Sequence, residues 1–326
     1  MNVRFINSAK KICIERDAGR CRHCGTSDSI SVIQLVKREG RLAWHLSNLI
    51  TLCIDCKTEA DRVRNISDAN RVGVILCGGR GTRLYPLTMY QNKHTLPIGL
   101  VPMLFYPIKT LRKFNVNRAL IVTDREGTNE TMKMLGSGKE FGMDFTYKIQ
   151  EGAGGISEAL FLAKDFANIG EEIVVILGDN IFDTNSLDTN VSLDKSTRAC
   201  IWIKEVSNPQ EYGVANIKND RVSEIIEKPK RPISNKAVVG LYMYDYDVFD
   251  IITQIQPSDR GELEISSVND YYAKQGQLTY RTVNGYWADC GGSIQRYCES
   301  SLHGARRANV SEEEVREFVS AVFDDK

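Results

Sequence analysis

The chain has 326 residues, of which 42% are hydrophobic, so it can bury a substantial core and has room for more than one folding unit. Lysine plus arginine equals aspartate plus glutamate, at 42 each, and the overall charge therefore indicates no particular class of partner. Because no apolar run approaches the ~20 residues of a membrane span and the N-terminus lacks the apolar core of a signal peptide, we expect a cytoplasmic protein with no membrane contact.

Two C-x-x-C pairs near the N-terminus predict a zinc site. The segments "CRHCG" and "CIDC" supply Cys21, Cys24, Cys53 and Cys56. Thiolates at this spacing suit tetrahedral zinc, and a cytoplasmic setting disfavours the alternative of a disulfide or redox pair. We expect these four cysteines to bind a structural Zn²⁺ ion.

The segment around these pairs resembles the HNH nuclease domain. The two zinc knuckles and the stretch "NLITLC", which contains Asn48, match that family, and the match implies a small treble-clef (ββα) module over residues 1–62. Where the family has its Asp-His general-base pair, this chain has an isoleucine and Gln34, which cannot accept a proton near neutral pH. Lys57 also stands where the family has an asparagine. We therefore expect an HNH-like zinc scaffold that has lost its nuclease site.

Residues 63–71 are rich in charge and predict a short linker. Residues 1–70 contain 12 basic and 8 acidic side chains, against 30 and 34 in the remainder. This basic excess leaves open a weak nucleic-acid contact through the zinc module. The simpler alternative is that zinc stabilises a small extension used in packing or assembly.

From residue 72 onwards, apolar runs alternate with helical stretches. The runs "VGVILC", "ALIVTD", "DFTYKIQ" and "EIVVILGDN" predict strands, and helices are predicted at about Met103–Phe114 and Ser157–Phe166. Runs apolar enough to be buried on both faces predict a parallel sheet between helices, an α/β fold. Ligands are then expected at the carboxyl ends of the strands.

The loop "CGGRGTRLYP" follows the first of these strands and predicts an anion site. It lacks the Gly-Lys-Ser/Thr ending of a Walker A loop, and Leu84 occupies the third glycine position of G-x-G-x-x-G. What remains is a glycine-rich turn whose backbone amides can approach phosphate oxygens, with Arg80 and Arg83 adding positive charge. The sequence of this loop alone is also compatible with a tight turn that binds no anion and whose arginines are solvated.

Nine motifs in register resemble the sugar-nucleotide pyrophosphorylases, and among these the glucose-1-phosphate thymidylyltransferase family. They span residues 72–303 and are "GGRGTRLYPLT", "NKHTLPI", "PM", "LGDNIF", "EYGVANI", "IEKP", "GLYMYD", "RGELEI" and "WADCGG". The resemblance implies a Rossmann-like nucleotidyltransferase fold with a mixed, mostly parallel sheet flanked by helices. After the matched region, the stretch "SEEEVREFVSAVF" predicts a short amphipathic helix within residues 304–326, in place of the longer C-terminal region of many relatives. The resemblance also implies that glucose 1-phosphate attacks the α-phosphate of dTTP to give dTDP-glucose and pyrophosphate.

The resemblance assigns roles residue by residue. Catalysis would rest on Lys93, Arg83, Asp179 and Asp289, with the two aspartates holding Mg²⁺ between phosphoryl oxygens. The residues that would bind the nucleotide are Gly78, Gly79, Gly81, Thr82, Arg83, Gln150 and Gly155. Those that would bind the sugar phosphate are Asn180, Gly213, Glu227, Lys228, Gly240, Tyr242 and Arg260. Taken singly, each aspartate could instead cap a turn, and the lysine and arginines could be solvated.

Departures from the family pattern leave the nucleotide and the sugar open. Val101 replaces a lysine, Gly154 replaces an aspartate in the base loop, and "DCGG" stands in place of "DTGT". Thymine and uracil differ by one methyl group, worth about 1 kcal/mol, so a UTP-dependent uridylyltransferase is one alternative. A DNA-associated zinc protein with a non-catalytic nucleotide-sugar-binding domain is a second. We also expect a homo-oligomer.

Overall fold

The computed structural model describes residues 3–22, 26–34, 49–54 and 71–307. The chain divides into two compact units, Met1–Asp68 and Ala69–Lys326. Within the described part of the chain, no helix has both the length and the apolar character needed to cross a bilayer. Asn48, Lys57, most of the predicted linker and the end of the predicted C-terminal helix lie outside the described residues.

The first unit contains a helix and a two-stranded antiparallel ribbon, namely α1 (Val3–Arg16), β1 (Ile30–Gln34) and β2 (Leu49–Cys53). Asp17, which follows the helix, accepts hydrogen bonds from the Arg16 Nε at 2.8 Å and from the Thr51 backbone N–H at 3.0 Å. The Arg16 hydrogen bond is the largest of the effects that hold the pKa of Asp17 well below its usual range. This buried carboxylate ties the end of α1 to β2.

Two of the four predicted zinc ligands fall on described residues. Cys21 begins a turn in which its backbone N–H donates to the Thr26 carbonyl oxygen at 2.7 Å, and Cys53 is the last residue of β2. Cys24 and Cys56 lie outside the described residues. In the ranges that are described, no group of three or more His, Cys, Asp or Glu side chains is placed to hold a metal ion. The zinc site therefore stays a prediction.

The second unit is built on a nine-stranded mixed sheet flanked by helices. Its strands, in chain order with four short ones that lie outside the large sheet, are β3 (Arg71–Cys77), β4 (Pro97–Ile98), β5 (Val101–Pro102), β6 (Arg118–Thr123), β7 (Asp144–Ile149), β8 (Glu172–Leu177), β9 (Asn180–Phe182), β10 (Ala199–Glu205), β11 (Gly213–Lys218), β12 (Arg221–Glu227), β13 (Lys236–Tyr244), β14 (Leu278–Thr282) and β15 (Trp287–Asp289). Its helices are α2 (Phe105–Lys113), α3 (Thr128–Leu135), α4 (Ile156–Phe161), α5 (Val248–Ile252), α6 (Ile265–Lys274) and α7 (Ile294–Arg307).

The strand order of the large sheet is β12-β11-β13-β8-β3-β6-β7, and β10 pairs with both β13 and β14. The run β8-β3-β6-β7 is parallel, whereas β13 joins β8 in the antiparallel direction. The expected α/β fold with a mixed sheet is thus confirmed. The short strands form two separate antiparallel ribbons, β4 with β5 and β9 with β15.

The core lies on both faces of the sheet. In β3, Val72, Val74 and Leu76 pack on the face covered by α4, α5 and α6, while Ile75 and Cys77 pack on the face covered by α2. A strand with both faces buried needs a nearly continuous apolar run, which explains the Val- and Ile-rich sequence of β3 and β8.

The two predicted helices are present with somewhat different ends. The first begins at Phe105 and ends at Lys113, before Asn115, whose left-handed backbone (φ 59°) closes the helix. The second ends at Phe161, earlier than expected, because the following turns are closed by shorter i to i−3 bonds such as Lys164 N–H to the Phe161 carbonyl oxygen at 3.1 Å.

Candidate active site

A cavity of about 550 Å³ lies in the second unit and is lined by residues that follow the carboxyl ends of β3, β7 and β8. All the residues to which the family resemblance assigned a nucleotide, sugar or catalytic role line this cavity, whereas Arg80 of the glycine-rich loop is not among its lining residues. Those with an assigned role are Gly78, Gly79, Gly81, Thr82, Arg83, Lys93, Gln150, Gly155, Asp179, Asn180, Gly213, Glu227, Lys228, Gly240, Tyr242, Arg260 and Asp289. The structure thus brings them together, and their individual roles stay predictions.

The glycine-rich loop leaves β3 with a tightly constrained backbone. Gly79 and Gly81 have positive φ angles of 108° and 63°, and a Cβ atom on Gly81 would lie 3.1 Å from the Lys93 Cβ. The short 3₁₀ turn at Thr82–Leu84 then buries the leucine in a small apolar cluster. Leu84 therefore anchors the loop, which explains why this position is not the third glycine of a dinucleotide motif.

Lys93 and Asp179 form an ion pair on the cavity wall. The Lys93 Nζ lies 2.6 Å from the Asp179 Oδ2. Burial lowers the pKa of Lys93, but the charge of Asp179, its hydrogen bond and the charge of Asp289 together outweigh this effect and the net pKa is raised. Burial likewise raises the pKa of Asp179, but several effects led by the Lys93 charge, with hydrogen bonds from Lys93 and Asn180, together outweigh it, so this carboxyl has a pKa well below its usual range. Both side chains are therefore charged near neutral pH.

Asp289 lies beside this pair because the ribbon of β9 and β15 places it opposite Asn180. A Cβ on Gly291 would lie 2.2 Å from the Asp179 Oδ2, and the Gly291 N–H itself donates to the Asp289 Oδ1 at 3.2 Å. Burial and then the charge of Asp179 raise the pKa of Asp289 to about 6, against the opposing charge of Lys93. Each of the two carboxylates disfavours the negative charge of the other, so a cation between them would be stabilising. Carboxylate oxygens are also the hard ligands that suit Mg²⁺.

Asn180 holds this arrangement from behind and is 2% exposed. Its side-chain oxygen accepts from the Trp287 indole N–H at 2.7 Å and from the Gly240 backbone N–H at 3.2 Å, and its amide donates to the Asp179 Oδ1 at 3.1 Å. A Cβ on Gly240 would lie 2.7 Å from the Asn180 Cγ. The absence of a side chain at position 240 is therefore needed to keep Asn180, and through it Asp179, in place.

Another part of the cavity wall carries a cluster of alternating charges. Glu227 Oε1 lies 3.4 Å from the Lys228 Nζ and 3.5 Å from an Arg260 guanidinium nitrogen, which also contacts the Glu264 Oε1 at 2.7 Å. Tyr242 lies buried beside them, and burial strongly raises the pKa of its hydroxyl. Carboxylates and cations side by side can bind both sugar hydroxyls and a phosphate.

Gln150 and Gly155 lie at a third region of the cavity. The Gln150 Nε2 donates to the Gly155 carbonyl oxygen at 3.2 Å, and the Gly155 backbone has a φ of 99°. A Cβ on Gly155 would lie 2.7 Å from the Leu263 carbonyl oxygen, so the chain can pass here only as glycine. An amide beside bare backbone suits the edge and face of a planar base.

Comparison with known proteins gives the family. The sequence profile of the nucleotidyl transferase family matches residues 72–305. The chain belongs to this family. Glucose-1-phosphate thymidylyltransferases of Neisseria meningitidis serogroup A and Xanthomonas campestris pv. campestris are 36% and 37% identical to it, over 72% of this chain and 80% and 79% of their own lengths. A Bacillus anthracis protein of solved structure, assigned as a glucose-1-phosphate thymidylyltransferase, is 40% identical with a TM-score of 0.65, over 72% of this chain and 95% of its own.

The nucleotidyltransferase site also contains residues that the sequence motifs did not indicate. Arg296, on α7, lies 3.8 Å from the Asp289 Oδ2 and 2.5 Å from the Glu211 Oε2, and its guanidinium lies over the Tyr212 ring at 5.4 Å. A Cβ on Gly292 would lie 2.6 Å from the Arg296 Nη1. The arginine therefore occupies space that the "DCGG" sequence leaves empty, and the second glycine of that motif was the available signal.

Gly154 stands where the family has an aspartate, and this glycine also leaves space that another side chain occupies. A Cβ on Gly154 would lie 1.7 Å from the Glu158 Oε2. The Glu158 carboxylate, carried by α4, thus fills the space beside the backbone of residue 154, where it also accepts a hydrogen bond from the Gln150 Nε2 at 3.2 Å.

Proposed function

We propose that this nucleotidyltransferase joins glucose 1-phosphate to dTTP, giving dTDP-glucose and pyrophosphate. The observation that carries the proposal is the meeting of Lys93, Asp179 and Asp289 beside the glycine-rich loop in a single cavity. The names of the relatives, which include glucose-1-phosphate thymidylyltransferases at 36% and 37% identity, support this choice of sugar and nucleotide.

The reaction is a displacement at phosphorus. An oxygen of the sugar phosphate forms a bond to the α-phosphorus of the triphosphate while the bond from that phosphorus to the bridging oxygen of the β-phosphate breaks, and the electron pair leaves with pyrophosphate. Catalysis of such a step is mostly alignment and charge neutralisation. The loop residues Gly79, Gly81 and Arg83 would hold the triphosphate, and the protonated Lys93 would offset the charge that gathers on the reacting phosphates.

Asp179 and Asp289 would hold Mg²⁺, since they form a buried carboxylate pair with one oxygen of Asp179 already engaged by Lys93. When bound, the ion supplies charge neutralisation and Lewis-acid polarisation of phosphoryl oxygens. At the sugar end, Glu227 would accept hydrogen bonds from sugar hydroxyls, while Lys228 and Arg260 would pair with the sugar phosphate.

The test is pyrophosphate release with glucose 1-phosphate and Mg²⁺ across dTTP, UTP, CTP, ATP and GTP. Lys93→Ala and Asp289→Ala should each lower turnover roughly 10²-fold or more, because each removes charge stabilisation at the reacting phosphates. Lys133→Ala, an exposed lysine of α3, serves as the control and should be unchanged. Release with UTP in preference to dTTP would replace the nucleotide in the proposal, and undiminished turnover in Lys93→Ala would refute the mechanism.

We further propose that residues 1–62 form an HNH-like module that binds structural Zn²⁺ and has no nuclease activity. Support comes from the C-x-x-C spacing, from the turn that starts at Cys21 and from the position of Cys53 at the end of an antiparallel strand. This proposal also includes the predicted treble clef, a weak nucleic-acid contact of that module and a homo-oligomeric assembly.

A further inference from the structure

The side-chain amide of Gln150 is held in one orientation. Its Nε2 is 3.2 Å from both the Gly155 carbonyl oxygen and the Glu158 Oε2. A carbonyl and a carboxylate only accept hydrogen bonds, so the NH₂ group must face them and the Oε1 must face the other way. With 8% of its surface exposed, Gln150 has little room to reorient while both acceptors are present.

The Oε1 of Gln150 lies beside the start of the glycine-rich loop. A Cβ on Gly78 would lie 3.0 Å from this oxygen, and both residues line the cavity. Among the residues that the structure describes, none is recorded as donating a hydrogen bond to it. Gln150 therefore offers a bound molecule an acceptor, and both hydrogens of its amide are already in use.

Glu158 strengthens the preference for this orientation of Gln150, which the Gly155 carbonyl alone already favours. The Gly155 carbonyl can engage only one of the two amide hydrogens, and the second is engaged by the Glu158 carboxylate. That carboxylate reaches the amide through space that exists only because residue 154 has no side chain, since a Cβ there would lie 2.4 Å from the Glu158 Cδ. Gly154 and Glu158 thus act together.

We propose that Glu158 is a positioning residue that turns the acceptor oxygen of Gln150 toward the nucleobase and so selects thymine or uracil over cytosine. The inference rests on the proposed nucleotidyl transfer. Thymine and uracil present an N3–H that can donate to the Gln150 oxygen, whereas N3 of cytosine is itself an acceptor. Two acceptors facing each other leave both lone pairs unsatisfied in a partly desolvated site, which disfavours the cytosine nucleotide.

The discriminating variant is Glu158→Gln, which keeps the size of the side chain. A glutamine at position 158 can donate to a reversed Gln150 amide as well as accept from the present one, so only the Gly155 carbonyl still favours the present orientation and the preference for it becomes weaker. The ratio of kcat/KM for UTP to that for CTP should fall roughly tenfold, the effect of about one hydrogen bond. The change should reside in the KM for the nucleotide, while the KM for glucose 1-phosphate stays unchanged.

Two further variants separate orientation from charge and from folding. Glu151→Gln removes a negative charge from the same loop, but the Glu151 carboxylate pairs with Arg125 and is not one of the acceptors of the Gln150 amide, so the ratio should be unchanged. Glu158→Asp keeps the charge on a side chain one methylene shorter, which withdraws it from the Gln150 amide. This variant should also lower the ratio, and it provides the test should Glu158→Gln fail to fold.

Calorimetric titration of UTP and CTP without sugar phosphate distinguishes this inference from the proposed function. A preference for UTP over CTP in binding that Glu158→Gln lowers roughly tenfold supports the inference even where no pyrophosphate is released. A UTP-to-CTP ratio in Glu158→Gln within twofold of the unmodified enzyme overturns it, as does an unmodified enzyme that does not distinguish the two nucleotides. Absence of binding by any triphosphate would overturn the proposed function as well.

Discussion

Single side chains decide the electrostatics of the cavity. Asp179 and Asp289 bring two negative charges to one place, and Lys93 neutralises only one of them. Burial and then the charge of Asp179 raise the pKa of Asp289, against the charges of Lys93 and Arg296, so a further cation at this point would stabilise the ionised form. Gly291 lies against the pair and leaves no spare volume.

Gly291→Ala should disable this group of charges. The new Cβ would lie 2.2 Å from the Asp179 Oδ2 and 3.2 Å from the Lys93 Nζ, so the pair must move, and a displacement of about 1 Å can cost roughly 10²-fold in turnover. Pyrophosphate release and thermal melting measure the two consequences separately. Gly276→Ala is the contrasting control, because it strains a positive φ of 69° in open space and should lower stability and leave turnover intact. Unchanged turnover in Gly291→Ala would contradict the assigned geometry.

The sequence could indicate residues in contiguous motifs but could not indicate the pairs that orient them. Gln150 and Lys93 belong to short motifs whose residue types suggest their chemistry. Arg296 and Glu158 lie on helices, and they reach Asp289 and Gln150 only because glycines at 292 and 154 vacate the space between. Such contacts depend on tertiary packing, and neither periodicity nor spacing encodes them.

Strands of the parallel sheet carry different chemistry at their two ends. The carboxyl ends open into the cavity, whereas the amino ends hold arginine–glutamate pairs. Arg71, at the start of β3, lies 2.8 Å from Glu172 at the start of β8, and Arg118, at the start of β6, donates to Glu171 at 2.7 Å. The apolar runs predicted where these strands end. The arginine–glutamate pairs link the amino ends of neighbouring strands, on the side of the sheet away from the cavity.

Glu171→Gln should lower stability in a pH-dependent manner. Burial raises the pKa of Glu171, but hydrogen bonds from Arg118 and the Asn168 backbone outweigh it, so the net pKa is lowered. A lowered folded-state pKa contributes stability that is present above the ordinary pKa of 4.5 and is lost as pH falls below it. Urea unfolding at pH 7 should show a loss of about 2 kcal/mol, and the loss should be smaller at pH 3.5, below the ordinary pKa of 4.5.

The control for this prediction is Asp165→Asn, which breaks an ion pair with Lys148 whose carboxylate is 85% exposed. Exposed pairs contribute little, so this variant should lose less than about 0.5 kcal/mol at either pH. An equal loss at both pH values in Glu171→Gln would indicate a packing effect and would refute the electrostatic explanation.

At the scale of the whole molecule, the chain joins a small unit with a basic excess to a larger one with an acidic excess. The fold of the larger unit followed from its alternation of apolar runs and helical stretches. In the smaller unit, the cysteine spacing predicted a zinc site but gave no indication of the helix α1. A helix that packs only on a two-stranded ribbon shows weak apolar periodicity, so the sequence did not predict α1.

Deletion of residues 1–68 should remove zinc and leave catalysis intact. Elemental analysis should find about one zinc ion per intact chain and none in the truncated chain, since all four predicted cysteine ligands are lost. Turnover should stay within about twofold, because every residue assigned to the reaction lies in the second unit, while the assembly mass should change if the extension serves oligomerisation. Lost turnover at unchanged mass would instead assign the extension a catalytic role.

The two strands of the β9–β15 ribbon are far apart in the chain and are therefore synthesised at different times. Asn180 and Trp287, which meet in it, are separated by 107 positions in the chain. The loop, Lys93 and Asp179 therefore leave the ribosome well before Asp289 does. A polypeptide released early, by a premature stop or by proteolysis upstream of β15, lacks the second carboxylate, and we expect such a fragment to be inactive.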